Sequence, residues 1–275
     1  MHYGYFNGQI MPTTQIGVGV TDLGLLRGYG LFDYLRTYNG RPFQWQHYWA
    51  RLENSARQMH LPLPMNEQEA HAMVLDLIAQ SRTGSEDVAI RFVVTGGYSP
   101  DSITIAEPNV MILIEEIRPV PESQFEQGIR VILDDYVRDM AEVKSTDYKR
   151  VILKAGEIKA AGASDLLYHK NGEISELSRS NFFLIRGDKL ITPDRHILFG
   201  VTRRTIMELA REDFRVEERP VLLSELYEAN EAFTTSTLKM ALPIVQIGEL
   251  MIGNGKPGPK TALLRERFMA FAGKN

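Results

Sequence analysis

The chain has 275 residues, of which 44% are apolar and 24% charged, and its formal net charge is −4. This length can form one large domain or two ordinary ones, and the charge gives no basic footprint for nucleic acid. Cysteine is absent, which excludes disulfides, thiolate metal sites and a cysteine nucleophile. The six histidines show no ligand spacing, so no metal is expected. The sequence has no membrane-length apolar run and no signal-peptide pattern, and we therefore expect a cytoplasmic protein without membrane contact.

The N-terminal part of the chain alternates predicted strands and helices. Asn7-Gly8 predicts one β-hairpin, and Asn39-Gly40 predicts a second with arms over 32–38 and 42–46. Between them, residues 21–30 hold three glycines around Arg27, which indicates a shaped loop that can aim a long cation. Helical spacing and apolar runs then predict helices over 46–60 and 67–81, and strands over 88–95 and 110–117.

Two prolines among polar residues at 118–123 indicate a linker. We predict a small N-terminal α/β domain over 1–118, a linker over 119–125 and a larger domain over 126–275. In the larger domain, Asn171-Gly172 and Gly187-Asp188 are predicted hairpin turns. Its predicted strands cover 128–134, 165–168, 181–185, 189–192, 215–218 and 232–235, and its predicted helices cover 150–161, 202–210, 224–227 and 261–271. The predicted class is α+β with two domains.

The stretch from Lys144 to Thr205 contains an amine, an acid and a candidate phosphate site in that order. A pyridoxal-phosphate site needs a lysine for the Schiff base, a carboxylate beside the pyridine nitrogen, and backbone amides around the phosphate. Lys144, Glu176 and the predicted helix start at Thr202 supply these three kinds of group. A single lysine is nearly always a solvated surface residue, so the prediction rests on the whole set.

The order of motifs resembles the class IV aminotransferases, also called fold type IV pyridoxal-phosphate enzymes, over nearly the whole chain. The motifs that carry this resemblance are Gly172-x-x-x-Glu176 with Asn181, Thr192-Pro193, Gly200-Val201-Thr202-Arg203, and Asn230-Glu231-Ala232-Phe233-x-x-x-Thr237 with Pro243. The resemblance implies a two-domain fold type IV enzyme whose larger domain contains a mixed sheet or pseudo-barrel. It also implies amino acid and 2-oxoacid substrates and a homodimer with shared active sites.

Residue roles follow from the same resemblance. Lys144 is implied to form the Schiff base and to carry a proton, Glu176 to pair with the pyridine nitrogen, and Tyr148 to contact the cofactor's phenolic oxygen. The implied phosphate ligands are the Arg51 side chain, the backbone amides of Val201 and Thr202, and the Thr237 hydroxyl.

Each role has a rival among nearby residues. The lysines closest to Lys144 occupy a predicted helix at spacings that suit a solvated face, namely Lys149, Lys154 and Lys159. Glu173 competes with Glu176 but falls in a predicted turn. From the helical pattern alone, the aliphatic part of Arg51 is expected to lie on the edge of the core with its guanidinium in water. Its His-x-x-x-Arg-Leu context instead resembles that of the family's phosphate arginine.

The positions at which this chain differs from the subfamilies it resembles bear on its choice of substrate. Branched-chain aminotransferases place tyrosines at the positions of Arg27 and Ala89. D-amino acid aminotransferases use an arginine and a histidine in the loop that is Tyr98-Ser99-Pro100-Asp101-Ser102 in this chain. The remaining substrate-side positions implied by the resemblance are Phe32, Arg91 and Leu238, and Phe32, Arg36 and Arg91 match the branched-chain subfamily.

Arg27 and Arg91 are hypothesised to clamp a substrate carboxylate, because the planar guanidinium suits bidentate binding. This favours a D-amino acid aminotransferase that uses D-alanine or D-glutamate with 2-oxoglutarate or pyruvate. In the alternative interpretation Arg91 pairs internally with Glu115 or Asp87. The other functions left open are a branched-chain L-amino acid aminotransferase, an aminodeoxychorismate lyase and a non-catalytic binding module, and the last is disfavoured by the intact cofactor set.

Overall fold

A computed structural model describes residues 2–81 and 85–274. Internal contacts divide the chain into two compact units. The first contains the chain up to Arg118 together with Val143–Asp147, and the second contains Pro119–Glu142 and Tyr148–Lys274. The segment that carries Lys144 thus belongs to the first unit, whereas the sequence assigned it to the larger domain. The stretch predicted as a linker, 119–125, lies in the second unit and includes the beginning of a helix, Glu122–Gln127.

The first unit is built on one antiparallel sheet. Its strands are β1 (Tyr3–Phe6), β2 (Gln9–Pro12), β3 (Gly30–Tyr38), β4 (Arg41–Pro42), β5 (Val88–Tyr98) and β6 (Glu107–Glu116), and its helices are α1 (Leu23–Arg27), α2 (Trp45–Gln58) and α3 (Glu67–Gln80). The strand order is β2-β1-β6-β5-β3-β4. Apolar side chains of α2 and α3, among them Leu52 and Val74, are buried.

Both hairpins predicted from Asn-Gly pairs are present. Asn7 and Gly8 have φ values of 45° and 94°, and Asn39 and Gly40 have φ values of 51° and 72°. Two successive positive φ angles suit the tight turn of a hairpin, because its twist then matches that of the strands. The predicted arm over 42–46 is wrong beyond Pro42, since proline has no amide to extend the ladder and α2 begins at Trp45.

The strand predicted to end at Thr95 continues to Tyr98 through Gly96 and Gly97. Its pairing with β6 shifts register between Thr95 and Tyr98, as in a bulge. A Cβ on Gly97 would lie 1.7 Å from the carbonyl oxygen of Glu107, so only glycine fits. Close backbone approach, together with a positive φ of 62°, therefore explains this glycine.

The second unit contains a mixed sheet. Its strands are β7 (Ile129–Asp135), β8 (Asp165–Lys170), β9 (Glu173–Leu177), β10 (Ser180–Arg186), β11 (Lys189–Thr192), β12 (Arg215–Glu218), β13 (Val221–Leu222), β14 (Glu231–Thr235), β15 (Leu242–Ile247) and β16 (Leu250–Met251). Its helices are α4 (Glu122–Gln127), α5 (Lys149–Leu153), α6 (Ala155–Ala160), α7 (Val201–Ala210) and α8 (Pro259–Ala272). The helix predicted over 150–161 is divided into α5 and α6 at Lys154.

Strand pairing closes part of this sheet into a barrel. The order β10-β14-β15-β7-β8-β9 returns to β10, because β9 pairs with both β8 and β10. The pairs β15–β7 and β7–β8 are parallel, whereas β8–β9, β9–β10, β10–β14 and β14–β15 are antiparallel. The predicted mixed sheet or pseudo-barrel is therefore confirmed.

In the described part of the chain, none of the helices is both long and apolar enough to span a bilayer.

Candidate active site

Lys144 lies in a segment that is hydrogen-bonded along the beginning of β3. Its carbonyl accepts from the Phe32 amide at 2.9 Å, and the Thr146 amide donates to the Gly30 carbonyl at 2.9 Å. The Lys144 amide donates to Ser55 Oγ of α2 at 3.2 Å. The amine nitrogen Nζ lies 4.7 Å from the centroid of the Phe32 ring. The sheet and α2 thus hold the lysine backbone in place from two sides.

Of the lysines that compete with Lys144 in sequence, Lys149 and Lys159 lie in helices as predicted, and Lys154 lies between α5 and α6. Lys149 begins α5 and is exposed, and Lys159 is exposed on α6. Lys154 Nζ bonds both carboxylate oxygens of Glu157 at 2.8 Å. These surroundings are typical of a solvated helix face, which supports the choice of Lys144.

Arg51 is paired with an acid inside the first unit. Its Nε and Nη2 donate to Asp33 Oδ2 and Oδ1 at 2.9 and 2.6 Å, and the two side chains are 10% and 1% exposed. The guanidinium also lies 4.9 Å from the Tyr48 ring centroid. The head is therefore buried, unlike the water-exposed head that the helical pattern indicates. Its role as a phosphate ligand stays a prediction.

Arg91 lies on β5 and forms the internal ion pair that the alternative interpretation predicted. Its Nε and Nη2 donate to Glu115 Oε1 and Oε2 at 2.6 and 3.0 Å. Each side chain of the pair is 33% exposed. The guanidinium lies 4.8 Å from the ring centroid of Tyr34, its partner in register on β3, and 5.9 Å from that of Phe32. A substrate role for Arg91 and Phe32 stays a prediction.

Arg27 is the last residue of α1 and is exposed. Its Nη1 donates to the Leu26 carbonyl at 3.0 Å. The helix ends at Gly28, which has a φ of 65° and donates its amide to Leu23. The predicted loop over 21–30 thus contains one turn of helix that carries the arginine at its C-terminal end.

Glu176 of β9 accepts hydrogen bonds on both carboxylate oxygens in the second unit. Arg138 Nε donates to Oε1 at 2.9 Å, while Asn181 Nδ2 and the Leu198 amide donate to Oε2 at 3.1 and 3.0 Å. The Glu176 and Arg138 side chains are 4% and 13% exposed. Burial acts to lower the pKa of Arg138, but the Glu176 carboxylate raises it above the usual value. The structure therefore holds an ionic pair at this position.

Glu173, the rival acid, has a different environment. Arg195 donates to both of its oxygens at 2.6 Å, and the Glu173 side chain is 24% exposed. Of the two carboxylates, that of Glu176 is the more enclosed, and its role at the pyridine nitrogen stays a prediction.

Glu176, Asn181 and Thr235 are opposed in register on β9, β10 and β14. Directly opposed residues of antiparallel strands share one face of the sheet. The Thr235 hydroxyl is 1% exposed and has no hydrogen-bond partner among the described residues. Leaving a buried hydroxyl unsatisfied costs about 1–3 kcal/mol, so this face is suited to a polar ligand.

Helix α7 begins at Val201 immediately after Gly200. Its N-cap residue is glycine, which has no side chain to cap the first turn. Val201 and Thr202 are 4% and 3% exposed. A Cβ on Gly200 would lie 2.2 Å from Asn181 Oδ1, so the helix start is pressed against β10. Amides at a helix N-terminus, together with the helix dipole, favour an anion.

Thr237 and Leu238 lie in a half-buried turn that follows β14. Lys239, the next residue, donates from Nζ to Asp165 Oδ2 at 3.1 Å and to Ser180 Oγ at 3.0 Å. Burial lowers the pKa of the Lys239 amine, against the opposing influence of Asp165. This pair fastens the turn to β8 and β10.

Tyr148 lies immediately before α5 and close enough to Arg138 to influence the pKa of that arginine. Sequence reasoning missed both Arg138 and Lys239. Arg138 falls in the irregular stretch after β7, where no periodicity exists to mark a residue as buried. Lys239 follows the Thr237 motif, and that adjacency was the one available signal.

These residues fit pyridoxal phosphate. The cofactor needs a primary amine, an anionic partner for its pyridine nitrogen and donors for its phosphate. Lys144 supplies the amine, and Glu176 supplies a carboxylate that Arg138 keeps charged. The uncapped start of α7 and the unpartnered Thr235 hydroxyl supply donors. Among residues 2–81 and 85–274, no cluster of three or more acids and histidines could hold a metal.

The amino-transferase class IV family model matches residues 30–247. A putative branched-chain-amino-acid aminotransferase of Methanocaldococcus jannaschii is 30% identical over 96% of this chain and 94% of its own length. A D-alanine aminotransferase of Listeria monocytogenes is also 30% identical, over 96% of this chain and 93% of its own length. Relatives with the two names thus match equally well.

Solved structures agree in fold. The branched-chain amino acid aminotransferase from Thermobaculum terrenum, solved in its PLP form, has a TM-score of 0.86 at 26% identity and covers 99% of this chain and 94% of its own. The branched-chain aminotransferase from the thermophilic archaeon Thermoproteus uzoniensis, solved with norvaline, has a TM-score of 0.88 at 24% identity, with coverage of 98% and 94%.

Proposed function

This chain belongs to the class IV aminotransferases, which use pyridoxal 5′-phosphate, and from this premise we propose that it is a D-amino acid aminotransferase. The proposed donors are D-alanine and D-glutamate, and the proposed acceptors are 2-oxoglutarate and pyruvate. The enzyme moves an amino group between an amino acid and a 2-oxoacid, and the open question is which amino acid.

The exposed guanidinium of Arg27 is the observation that carries the proposal. In the branched-chain subfamily this position is implied to hold a tyrosine that recognises an L-substrate, as is the position of Ala89. Arginine presents a planar pair of donors to a carboxylate, which tyrosine does not. The substitution therefore favours a different mode of carboxylate binding from the L-specific one.

Arg91 is the second proposed carboxylate ligand. Its ion pair with Glu115 is one-third exposed on both sides, and a pair of that kind contributes only about 0–1 kcal/mol. A substrate carboxylate can compete for the same guanidinium edge at small cost. We assign Arg27 the main role and Arg91 the supporting one.

The remaining roles follow from the chemistry of each residue. When bound, the cofactor supplies an electron-withdrawing ring that stabilises negative charge at the substrate α-carbon. Once released from its own bond to the cofactor, the Lys144 amine would carry a proton between the substrate α-carbon and the cofactor carbon C4′. Glu176 would pair with the ring nitrogen, and Arg138 with two further donors holds its carboxylate in position. The amides of Val201 and Thr202, the Thr237 hydroxyl and Arg51 bind the phosphate.

The proposed assembly is a homodimer with shared active sites. Its support is a set of exposed apolar side chains close to Arg27, since Val20, Leu25 and Leu26 are 76%, 64% and 44% exposed. Apolar side chains grouped in this way are typical of protein interfaces. Light scattering coupled to size-exclusion chromatography should give twice the chain mass, and a monomer would reject the assembly. A cytoplasmic location stays a prediction from the sequence.

A substrate panel tests the proposed specificity. Purified holoenzyme is given D-alanine, D-glutamate or L-leucine with an oxoacid acceptor, and oxoacid release is measured. D-amino acids should react, and activity confined to L-leucine would establish the branched-chain alternative, which the Methanocaldococcus relative favours. Pyruvate released from aminodeoxychorismate without an acceptor would establish the lyase alternative.

Variants of the two arginines test the clamp separately. Loss of a charge-assisted hydrogen bond of about 1.5–3 kcal/mol corresponds to a roughly ten- to hundredfold rise in KM. Arg27→Ala should show a change of that size and Arg91→Ala a smaller one, with the visible spectrum of the bound cofactor unchanged. Arg57→Ala, which removes a guanidinium paired with Asn54 on α2, is the control. Unchanged KM values in both arginine variants would reject the clamp.

A further inference from the structure

Asp22 is fully buried beside the helix that carries Arg27. Its Oδ1 accepts from the Gly24 amide at 2.5 Å, and its Oδ2 accepts from Thr95 Oγ1 at 2.7 Å and Asn109 Nδ2 at 2.6 Å. Removing a carboxylate from water is costly unless donors replace the water. Three donors on two oxygens do so here, and they come from three different elements.

The Thr95 and Asn109 donors attach α1 to the sheet, whereas Gly24 belongs to α1 itself. Thr95 lies on β5 and Asn109 on β6, and the two are opposed in register. Asn109 Oδ1 in turn accepts from Asn7 Nδ2 at 2.7 Å, and Asn7 Oδ1 accepts from the Val110 amide at 2.8 Å. The Asp22 carboxylate is thus connected to the turn of the first hairpin through a chain of side-chain hydrogen bonds.

Helix α1 and strand β5 pack so closely that two positions of the contact have room only for glycine. A Cβ on Gly24 would lie 2.7 Å from both Asp22 Oδ1 and Thr95 Cγ2. A Cβ on Gly96 would lie 2.9 Å from Leu23 Cβ. Neither glycine can be replaced without displacing the helix from the strand.

A helix of five residues has no stability of its own, because nucleation costs more than so few hydrogen bonds return. The position of α1 must therefore come from its attachments. Asp22 supplies the attachment at the N-terminal end, by capping the Gly24 amide. At the other end, two residues after Arg27, the Tyr29 carbonyl accepts from the Gly96 amide of β5 at 2.9 Å. Arg27 stands between these two attachments.

We propose that Asp22, held by Thr95 and Asn109, is a positioning residue for Arg27 and thereby sets the affinity for the substrate carboxylate. This inference rests on the proposed role of Arg27. A helix one turn long transmits a displacement at Asp22 directly to Arg27, one turn away. Effective binding of a carboxylate by a guanidinium requires the fork to be aimed correctly.

A matched pair of variants at Thr95 tests the inference without removing the buried charge. Thr95→Val keeps the shape and removes the hydroxyl that donates to Asp22, whereas Thr95→Ser keeps the hydroxyl. Thr95→Val should raise KM for the amino donor about five- to tenfold with kcat nearly unchanged, and Thr95→Ser should restore KM. Thermal unfolding of both variants checks that the fold is retained. Equal KM values in the two variants would overturn the inference.

Combining the Thr95 variant with a change at Arg27 distinguishes a positioning role from a general structural effect. In an Arg27→Ala background, Thr95→Val should no longer raise KM, because the two changes act through the same contact. An equal rise in both backgrounds would show that the Asp22 cluster acts by another route and would overturn the inference alone. If Arg27→Ala itself leaves KM unchanged, the proposed role of Arg27 fails and this inference fails with it.

Asp22→Asn is the stronger variant. Asparagine keeps the size of the side chain but has one acceptor oxygen in place of two. Its NH2 group would therefore face donors whose hydrogen bonds the wild-type carboxylate accepts. KM should rise by more than in Thr95→Val, again with the visible cofactor spectrum unchanged. A KM equal to that of the wild type in a folded Asp22→Asn protein would contradict the inference.

Discussion

The Glu176–Arg138 pair shows why sequence identifies some residues of this site and misses others. Glu176 belongs to a motif with fixed spacing to Asn181, and the structure buries its side chain and bonds it to that asparagine. Arg138 has no motif, yet its Nε donates to Glu176 and its Nη2 donates to the Ala141 carbonyl at 2.5 Å. A buried acid requires a counter-charge or enough hydrogen-bond donors, and only the fold shows that Arg138 supplies the counter-charge of Glu176.

Arg138→Met should leave the Glu176 carboxylate buried without its counter-charge. Breaking one side of a buried pair costs about 3–5 kcal/mol, so the midpoint of urea unfolding should fall. The Glu176 carboxyl should also take up a proton more readily, and the apoprotein should bind the cofactor more weakly in a titration. Arg195→Met, which removes the partner of the more exposed Glu173, should have a small effect on both measurements. Equal effects of the two variants would contradict the argument.

Lys144→Ala should abolish the visible absorbance that the cofactor acquires when it is linked to the protein. The physical reason is that the primary amine is the group that forms the Schiff base. Lys154→Ala, which removes an amine bound to Glu157, is the control and should keep the yellow colour and its sensitivity to borohydride. Persistence of that signal in Lys144→Ala would show that another lysine carries the cofactor.

Among the elements, α7 is placed by a close approach to β10. Gly200 has ordinary extended dihedrals, with φ of −68° and ψ of 135°, so backbone freedom does not explain the glycine. Its Cα instead lies so near Asn181 Oδ1 that no side chain fits. Asn181 also donates to the Leu198 carbonyl at 2.7 Å. The helix start and the Glu176 carboxylate are therefore positioned by the same asparagine.

Gly200→Ala should displace Asn181 and with it the start of α7. We expect weaker retention of the cofactor during dialysis and lower activity, because the amides of α7 and the Glu176 carboxylate are both disturbed. Gly156→Ala is the matched control, since a Cβ on that glycine of α6 would meet no atom within 4 Å. That variant should be neutral or slightly stabilised, as alanine favours a helix by about 1 kcal/mol. Similar cofactor loss in both would reject the explanation.

The elements that sequence predicted well are those with local signals. The Asn-Gly turns and the amphipathic patterns of α2 and α3 lie within short stretches of chain. The strands β9, β13, β15 and β16 were missed. Two of them have only two residues, and β15 contains Pro243, which ordinarily indicates that a segment is not a central strand. Burial between β14 and β7 overrides that preference.

For the whole molecule, surface ion pairs determine how stability changes in acid. The pKa of Glu225 is lowered below its usual 4.5, first by its hydrogen bonds from Arg219, and that of Glu217 is lowered first by Lys189 and further by Arg219. A carboxyl group whose folded pKa is lowered adds stability above its unfolded pKa. That stability is lost as the pH falls below about 4.5 and through the folded values.

Arg219→Gln should therefore reduce stability at pH 7 and flatten its decline below pH 4.5. The effect should be small, about 0–1 kcal/mol for each pair, because both pairs are partly exposed. Urea unfolding at several pH values and two salt concentrations measures it, and high salt should diminish the difference. Lys159→Gln also removes one positive charge, at an exposed position on α6, and should not alter the slope of stability against pH. A steeper acid decline in Arg219→Gln would contradict the sign of this prediction.

Sequence by itself determined the family, the cofactor and the motif residues, since the spacing from Gly172 to Thr237 is a property of the chain alone. Tertiary structure decided what surrounds those residues. Arg51 is bound to Asp33, Arg91 to Glu115, and Glu176 to an arginine that no motif marks. Ion pairs join residues that are far apart in sequence, and local patterns carry no information about such partners. For the same reason the attachment of Arg27 through Asp22, Thr95 and Asn109 became visible only in the folded sheet.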